Sequence, residues 1–117
     1  MRDITRKLLL DALESCRAIE GWVGGKSYTE YDSDRQLRRA VEREFEIIGE
    51  AVNRLSRTEP VTAQRIRNLP RIVAFRNIVI HGYDTVDNAA VWGIIETKLR
   101  EFKEDLQTLL DEPDQGS

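Results

Sequence analysis

The sequence has few or none of the residues on which several classes of protein depend. Its one cysteine, Cys16, excludes a disulfide within the chain. No apolar run approaches the roughly 18 residues of a membrane-spanning helix, so we expect no membrane contact. The N-terminal residues lack the long apolar region of a signal peptide. Together these absences predict a cytoplasmic protein in which Cys16 is a small residue of the core.

Residues for metal binding and for phosphate-binding loops are also scarce. The chain has a single histidine, His81. A di-iron helical bundle needs two Glu-x-x-His pairs, so the row of acids at Glu42, Glu46 and Glu50 does not predict a metal site. The isolated glycine pair at residues 24–25 does not make a phosphate-binding loop. We therefore predict no metal and no other cofactor.

Charge is unevenly distributed along the chain. The net charge of −3 argues against strong general affinity for nucleic acid or acidic lipid. Residues 60–83, the basic segment, nevertheless contain four arginines and no acid, whereas residues 84–117 contain nine acids. Fourteen of the 18 basic residues are arginine, which suits bidentate contacts to phosphate. The middle of the chain is thus locally basic, and the acidic C-terminal part sets the overall sign.

Apolar residues recur at helical spacing in four segments, and no segment alternates as a half-buried strand would. The spacing predicts helices at about 3–22, 34–55, 69–81 and 88–111. A short helical turn is expected near residues 62–67, whereas residues 27–33 have the composition of a polar turn. With short connections, this pattern predicts an all-α, up-and-down four-helix bundle. We expect residues 1–117 to form a single domain that is ordered over about 3–111.

The most unusual stretch is residues 76–83, at the end of the third predicted helix. Apart from Arg76, Asn77 and His81 its residues are mostly apolar, and Gly82 ends the helix. A histidine titrates near neutral pH and can remove the proton from a 2′-hydroxyl of RNA. An arginine can stabilise the charge that builds on the phosphorus oxygens when that hydroxyl attacks. Arg76 and His81 are therefore the candidate catalytic residues for cleaving RNA without a metal.

A single helix does not bring these two side chains together. At about 100° and 1.5 Å per residue, Arg76 and His81 point about 140° apart and are separated by about 7.5 Å along the axis. Asn77, four residues before His81, is the nearer partner on the same helix. Two copies of the helix across a two-fold axis could instead surround one cleft. We therefore expect a homodimer with the cleft at its interface.

Two segments of the sequence resemble those of a known family. Arg76-x4-His81-x-Tyr83 resembles the signature of the HEPN superfamily, and within it that of the HepT-like toxins of MNT–HEPN toxin–antitoxin systems. The segment EIIGEA at residues 46–51 resembles the IGEA element in the second helix of that family. The resemblance extends over about residues 3–111. Both segments have the spacing that this family has in an all-helical chain.

This resemblance implies a HEPN-like helical domain that acts as a dimeric, metal-independent endoribonuclease toxin with RNA as its substrate. Arg76 and His81 would be its catalytic residues, and Asn77 a supporting polar residue. The implied partner is a minimal nucleotidyltransferase that acts as antitoxin and transfers AMP from ATP to Tyr83. The added AMP would bring bulk and negative charge two residues from His81, and Arg76 could bind its phosphate instead of RNA.

Other interpretations of the same residues stay open. The chain could be a non-catalytic helical binding module that partners the nucleotidyltransferase, or a bundle that binds a small molecule or nucleotide. His81 could simply interact with the dipole at the end of a helix, and Tyr83 could be a half-buried aromatic residue. Arg76 could pair with Glu46 or Glu50, and such a glutamate could also orient the arginine for catalysis.

Overall fold

The computed structural model describes the backbone of residues 1–81 and 87–113, and the side chains within these ranges except those of residues 76–81. The helices are α1 (Asp3–Val23), α2 (Tyr28–Ser33), α3 (Arg35–Thr58), α4 (Pro60–Ala63), α5 (Leu69–His81), α6 (Asn88–Thr97) and α7 (Leu99–Asp111). The described residues contain no strand. The prediction of an all-α fold is therefore confirmed.

Three of the four predicted long helices lie where the apolar spacing placed them. The bounds of α1 and α3 agree with the prediction to within three residues, and those of α5 agree at both ends. The short helical turn expected near residues 62–67 is also present, but it begins earlier, as α4. Pro60 explains the shift, because its missing N–H costs nothing in the first turn of a helix.

The segment predicted as a polar turn, residues 27–33, is a short helix instead. The Ser27 hydroxyl accepts the amide of Glu30 at 3.2 Å, and the Glu30 carboxylate accepts the amide of Ser27 at 3.0 Å. This reciprocal capping satisfies two backbone donors and starts α2. Tyr31, whose side chain is fully buried, anchors the helix on the core.

The last predicted helix, residues 88–111, is interrupted at Lys98. Lys98 has φ −121° and ψ −27°, which departs from helical values. Just before it, the Thr97 hydroxyl donates to the carbonyl of Gly93 at 2.6 Å. The helix restarts as α7, where the Phe102 amide donates to the Lys98 carbonyl at 3.0 Å. One predicted helix is thus two, α6 and α7, joined by a bend.

Contacts between the long helices show their directions. Arg2, which precedes α1, donates to the carbonyl of the last residue of α3 at 3.0 Å, so α1 begins where α3 ends. Late in α1, Arg17 donates to Gln107 at 3.0 Å, and Glu20 accepts from Lys103 at 2.7 Å. Because the residue number rises in α1 as it falls in α7, these two helices are antiparallel.

The remaining contacts complete an up-and-down arrangement. Phe75 of α5 packs edge-on against Phe45 of α3, with ring centroids 5.1 Å apart. α6 begins beside α2, where Asn88 donates to the Asp32 carboxylate at 3.0 Å. The chain therefore rises in α1, descends in α3, rises again in α5 and descends through α6 and α7.

The core lies between two layers of helices. The molecule measures 50 × 28 × 19 Å, and its shortest dimension equals about two helix diameters. Cys16 is fully buried in this core. Burial, and then the charge of Glu20, raises the pKa of its thiol to about 12, so the thiol stays protonated and unreactive. None of the described helices is both long and apolar enough to cross a membrane.

A charged clamp fixes the start of α5 against α7. The Arg67 guanidinium donates to the Asp105 carboxylate at 2.8 and 3.0 Å, and the Arg67 amide donates to it at 2.9 Å. The Asp105 side chain is 13% exposed. Burial raises the pKa of Asp105, but the hydrogen bonds from Arg67 outweigh burial and hold the pKa below its usual value. The clamp therefore stabilises the fold while Asp105 is ionised.

We predict that Asp105→Asn lowers the free energy of unfolding by about 1 kcal/mol at pH 7, because it removes a charge-assisted pair that is partly exposed. Since the folded-state pKa is lowered, the wild-type advantage is present above the unfolded pKa of about 4 and is lost as the pH falls through the folded pKa. Urea unfolding at several pH values measures both effects.

The exposed pair of Lys7 and Asp11, whose charged atoms are 2.8 Å apart, provides the control. Asp11→Asn should change the free energy of unfolding by no more than about 0.5 kcal/mol. If both substitutions have the same effect at every pH, the clamp contributes nothing special to the fold.

Candidate active site

The start of α5 is held by its own preceding residue as well as by the clamp. Asn68 has φ 62°, a left-handed conformation that asparagine adopts more readily than most residues. Its carbonyl accepts the amides of Arg71 and Ile72 at 3.0 and 3.1 Å, which starts the helix. Its side-chain amide donates to Glu101 of α7 at 3.0 Å. The residues immediately before α5 are therefore held against α7, whereas the helix itself packs on α3.

The structure places three of the candidate site residues on this one helix. The helical backbone is continuous through Arg76, Asn77 and His81. In such a helix, positions five apart point about 140° apart, as the sequence spacing predicted. The side chains of these three residues are not among those described, and Tyr83 lies outside the described residues. The roles assigned to all four residues stay predictions.

The face of α5 that packs on the bundle is apolar. Phe75 contacts the Phe45 ring, and Ile72 and Val73 pack against the buried core while remaining partly exposed. Gly49 of α3 is buried on the same side and lines a cavity between α3, α5 and α7. The helix that carries the candidate residues thus contacts α3 through the two phenylalanine rings, and a cavity separates the two helices beside that contact.

One acid of α3, Glu42, is buried, whereas the sequence indicated Glu46 or Glu50 as the partner of Arg76. The Glu42 side chain is 11% exposed, against 30% for Glu46, which accepts from Arg43 at 3.1 Å. Glu50 is exposed. Among the described residues, the partner of Glu42 is Arg39, at the long distance of 3.5 Å. Within the described parts of the chain, no three His, Cys, Asp or Glu side chains group to hold a metal.

The position of Glu42 follows from the direction of the helices. Glu42 lies three residues before Phe45 and so falls on the same face of α3. α3 and α5 run in opposite directions, and Phe45 faces Phe75. The turn of α3 that precedes Phe45 is therefore level with the turn of α5 that follows Phe75. That turn belongs to the stretch between Arg76 and His81. In the sequence, Glu42 lies only at the edge of the apolar stripe of α3, about 60° from Phe45, so spacing alone does not distinguish it from the exposed acids of that helix.

A second buried polar group lies near this acid. Tyr31 of α2 is fully buried and packs against the Trp92 ring, with centroids 5.2 Å apart. Its hydroxyl has no hydrogen-bond partner among the described residues. Burial, and then the negative charge of Glu42, raises the pKa of Tyr31 well above its usual value. The hydroxyl therefore stays protonated at physiological pH.

The basic segment is less basic in the folded chain than in the sequence. Arg65 pairs with Glu112, and Arg67 pairs with Asp105. Two of the four arginines of the segment are thus engaged by the acidic C-terminal part of the chain. Arg71, by contrast, is exposed and has no ionic partner among the described residues. The positive charge left for a nucleic acid is correspondingly smaller.

Comparison with known proteins assigns most of the chain to one family. The family model described as "Ribonuclease HepT-like" matches residues 12–109. "Putative RNase MJ1380" of Methanocaldococcus jannaschii is 30% identical over 108 residues, which cover 91% of this chain and 95% of the relative. "Putative RNase MJ1216" of the same organism is 27% identical over 111 residues, covering 93% of this chain and 88% of the relative.

A relative from a second organism gives the same result. "Putative RNase TTE0752" of Caldanaerobacter subterraneus subsp. tengcongensis is 29% identical over 107 residues, which cover 90% of this chain and 93% of the relative. No solved structure matches the chain with significance. The family match extends from the middle of α1 almost to the end of α7 and includes all of α5. The chain therefore belongs to the HepT-like ribonuclease family.

Proposed function

We propose that this protein is a metal-independent endoribonuclease in which Arg76 and His81 act on RNA. The observation that carries the proposal is that the family match includes the whole of α5, a continuous helix on which both residues lie. The names of the relatives agree, because each reads "Putative RNase". The clamp of Arg67 and Asp105 supports it further by fixing the helix that carries the two residues.

The proposed reaction is an internal transesterification. His81 removes the proton of a 2′-hydroxyl, and the 2′-oxygen attacks the adjacent phosphorus. The bond from phosphorus to the 5′-oxygen breaks, and that oxygen takes up a proton as it leaves. The products are a 2′,3′-cyclic phosphate and a 5′-hydroxyl. Arg76 stabilises the negative charge that develops on the non-bridging oxygens.

The proposed active unit is a homodimer. On one helix, side chains five residues apart diverge by about 140°, so a single copy offers a poor catalytic pair. Two copies of α5 across a two-fold axis would bring Arg76 and His81 of both chains to one cleft. Asn77 would support His81 from the preceding turn.

Glu42 is proposed as the acid that orients Arg76, in place of Glu46 or Glu50. A buried carboxylate needs a cationic or hydrogen-bonding partner, because burial of an unpaired charge is costly. The hydrogen bond from Arg39 is long, at 3.5 Å, and therefore stabilises the Glu42 carboxylate only weakly. Glu42 is level with the stretch of α5 that begins at Arg76, whereas Glu46 already accepts from another arginine.

The proposed regulation is that of a toxin controlled by an antitoxin. A minimal nucleotidyltransferase partner would transfer AMP to the hydroxyl of Tyr83 and release pyrophosphate from ATP. Tyr83 is two residues from His81, so the adduct would place a phosphodiester beside the site. Arg76 would bind that phosphate and become unavailable to RNA.

One observation favours a second candidate function, a non-catalytic binding module for the nucleotidyltransferase. Two of the four arginines of the basic segment are paired with acids of the C-terminal part. The net charge of −3 gives no general attraction for RNA. In this alternative the dimer would bind its partner protein without cutting RNA.

Wild-type protein is expected to cut RNA in the presence of EDTA, and His81→Ala to cut at least about 100-fold more slowly, because general base catalysis contributes roughly 10²–10⁴-fold. Initial rates on an end-labelled RNA measure this. Lys7→Ala, on the exposed face of α1, is the control and should keep the wild-type rate. Equal cutting by the wild-type protein and His81→Ala would indicate a contaminating nuclease and favour the binding module.

Glu42→Gln is expected to lower the cleavage rate by about tenfold, because a misplaced arginine loses part of its contact to the transition state. Glu50→Gln, on the exposed face of the same helix, should leave the rate unchanged. Thermal unfolding of both variants shows whether they fold equally well. A loss of the same size in both variants would contradict the role given to Glu42.

Incubation with the cognate nucleotidyltransferase and ATP is expected to add one AMP to Tyr83 and to abolish cleavage. Peptide mass spectrometry locates the adduct, and the cleavage assay follows its effect. Tyr83→Phe should accept no AMP and should stay active in the presence of the partner. An adduct on another residue, or inhibition of Tyr83→Phe at the same partner concentration, would contradict control through this hydroxyl.

A further inference from the structure

A cavity of about 90 Å³ lies between α3, α5 and the junction of α6 and α7. The lining of the cavity is almost entirely apolar. Most of it consists of the rings of Phe45, Phe75 and Phe102 and the aliphatic chains of Ile72 and Ile94. Water does not bind stably in an apolar cavity, because a buried water molecule needs two or more polar partners. The wall suits a hydrocarbon group.

The charged residues that line the cavity in the described part of the chain are cations. Arg67, Arg71 and Lys98 line it, and no acidic side chain does so among the described lining residues. Arg67 is neutralised by Asp105, at 2.8 Å. Arg71 and Lys98 come from two different elements, and neither has an ionic partner in the described part of the chain. Beside the apolar pocket there are thus two positive charges that no acid of the described residues compensates.

Nearby acids of α7 do not compensate these cations. Glu101 accepts from Asn68 at 3.0 Å and lies 3.5 Å from Arg67. Glu104 lies 3.5 Å from Arg100. Because these two acids have other partners, Arg71 and Lys98 are left able to bind an anion from solution. A ligand that fits this cavity would thus have an apolar body and an anionic end.

Size and polarity limit the class of ligand further. An engineered cavity of about 150 Å³ holds benzene, so 90 Å³ suits a short aliphatic chain or a small branched group. A nucleobase would bury several donors and acceptors against an apolar wall, and each one left unpaired opposes binding. A long acyl chain would not fit in the enclosed part.

We infer that the cavity between α3, α5 and α7 is a binding site for a small aliphatic carboxylic acid. The hydrocarbon end of the acid lies among the phenylalanine rings, and its carboxylate lies between Arg71 and Lys98. The site is separate from the proposed catalytic residues, although Phe75 and Arg71 belong to the same helix as Arg76. The inference does not depend on ribonuclease activity.

The test is a titration of the intact protein with hexanoate, followed by NMR of isoleucine methyl groups. The methyl signals of Ile72 and Ile94 should shift and saturate, whereas that of Ile19, buried between α1 and the rest of the core, should not move. Acetate lacks the apolar body and hexylamine carries the opposite charge, so neither should produce saturating shifts. Equal shifts with hexylamine would overturn the proposed role of the two cations.

Charge variants test the anionic end. Arg71→Gln and Lys98→Gln should each weaken hexanoate binding by about fivefold, and the double variant by on the order of tenfold or more. Arg54→Gln is the matched control, because Arg54 is exposed on α3 and does not line the cavity. If the double variant binds hexanoate as tightly as Arg54→Gln does, the site is not one for carboxylates.

A filling variant tests the apolar end. Ile94 is only partly buried, so Ile94→Trp should be tolerated while the larger ring occupies the cavity. Hexanoate binding should then be lost, although thermal unfolding stays close to that of the wild type. Undiminished binding to folded Ile94→Trp would show that the acid binds elsewhere. The charge variants keep the test valid if this variant does not fold.

Discussion

The docking of α5 against α3, with the residues that precede α5 tied to α7, is the constraint on which the candidate site depends. α5 is short, and its apolar face is only partly buried. Its position is set by the bidentate pair of Arg67 with Asp105, by the left-handed Asn68, and by the edge-on contact of Phe75 with Phe45. None of these contacts involves the proposed catalytic residues. These contacts position the backbone of the motif. The chemistry proposed for the motif then depends on the side chains that this backbone carries.

The charges of the chain act mostly within the molecule. Acids of α7 and of the residue after it neutralise Arg65 and Arg67, so the segment that is most basic in the sequence holds the connector between α4 and α5 in place. What remains unpaired among the described cations near α5 is Arg71, beside Lys98 and an apolar cavity. Attraction of RNA would therefore depend on short-range contacts rather than on a broad positive surface.

Much of the fold could be predicted from the sequence, because long amphipathic helices leave a strong spacing pattern. The bounds of α5 were predictable because Pro70 suits a first turn and Gly82 follows the last one. α2 was not, because six residues carry too little periodicity and the capping box depends on two side chains meeting. The bend at Lys98 has no proline or glycine at that position to mark it. The burial of Glu42, rather than Glu46 or Glu50, depends on how α5 packs, and spacing along α3 cannot show that.

The central claim is that the 2′-oxygen of the RNA itself attacks the phosphorus, with an imidazole as base. The most direct test compares one RNA with the same sequence carrying 2′-O-methyl groups throughout, both incubated with the wild-type protein in EDTA. The account predicts that the RNA is cut to fragments ending in a 2′,3′-cyclic phosphate, identified by mass, and that the methylated strand stays intact. Cleavage of the methylated strand, or fragments that end in a 3′-hydroxyl, would contradict it.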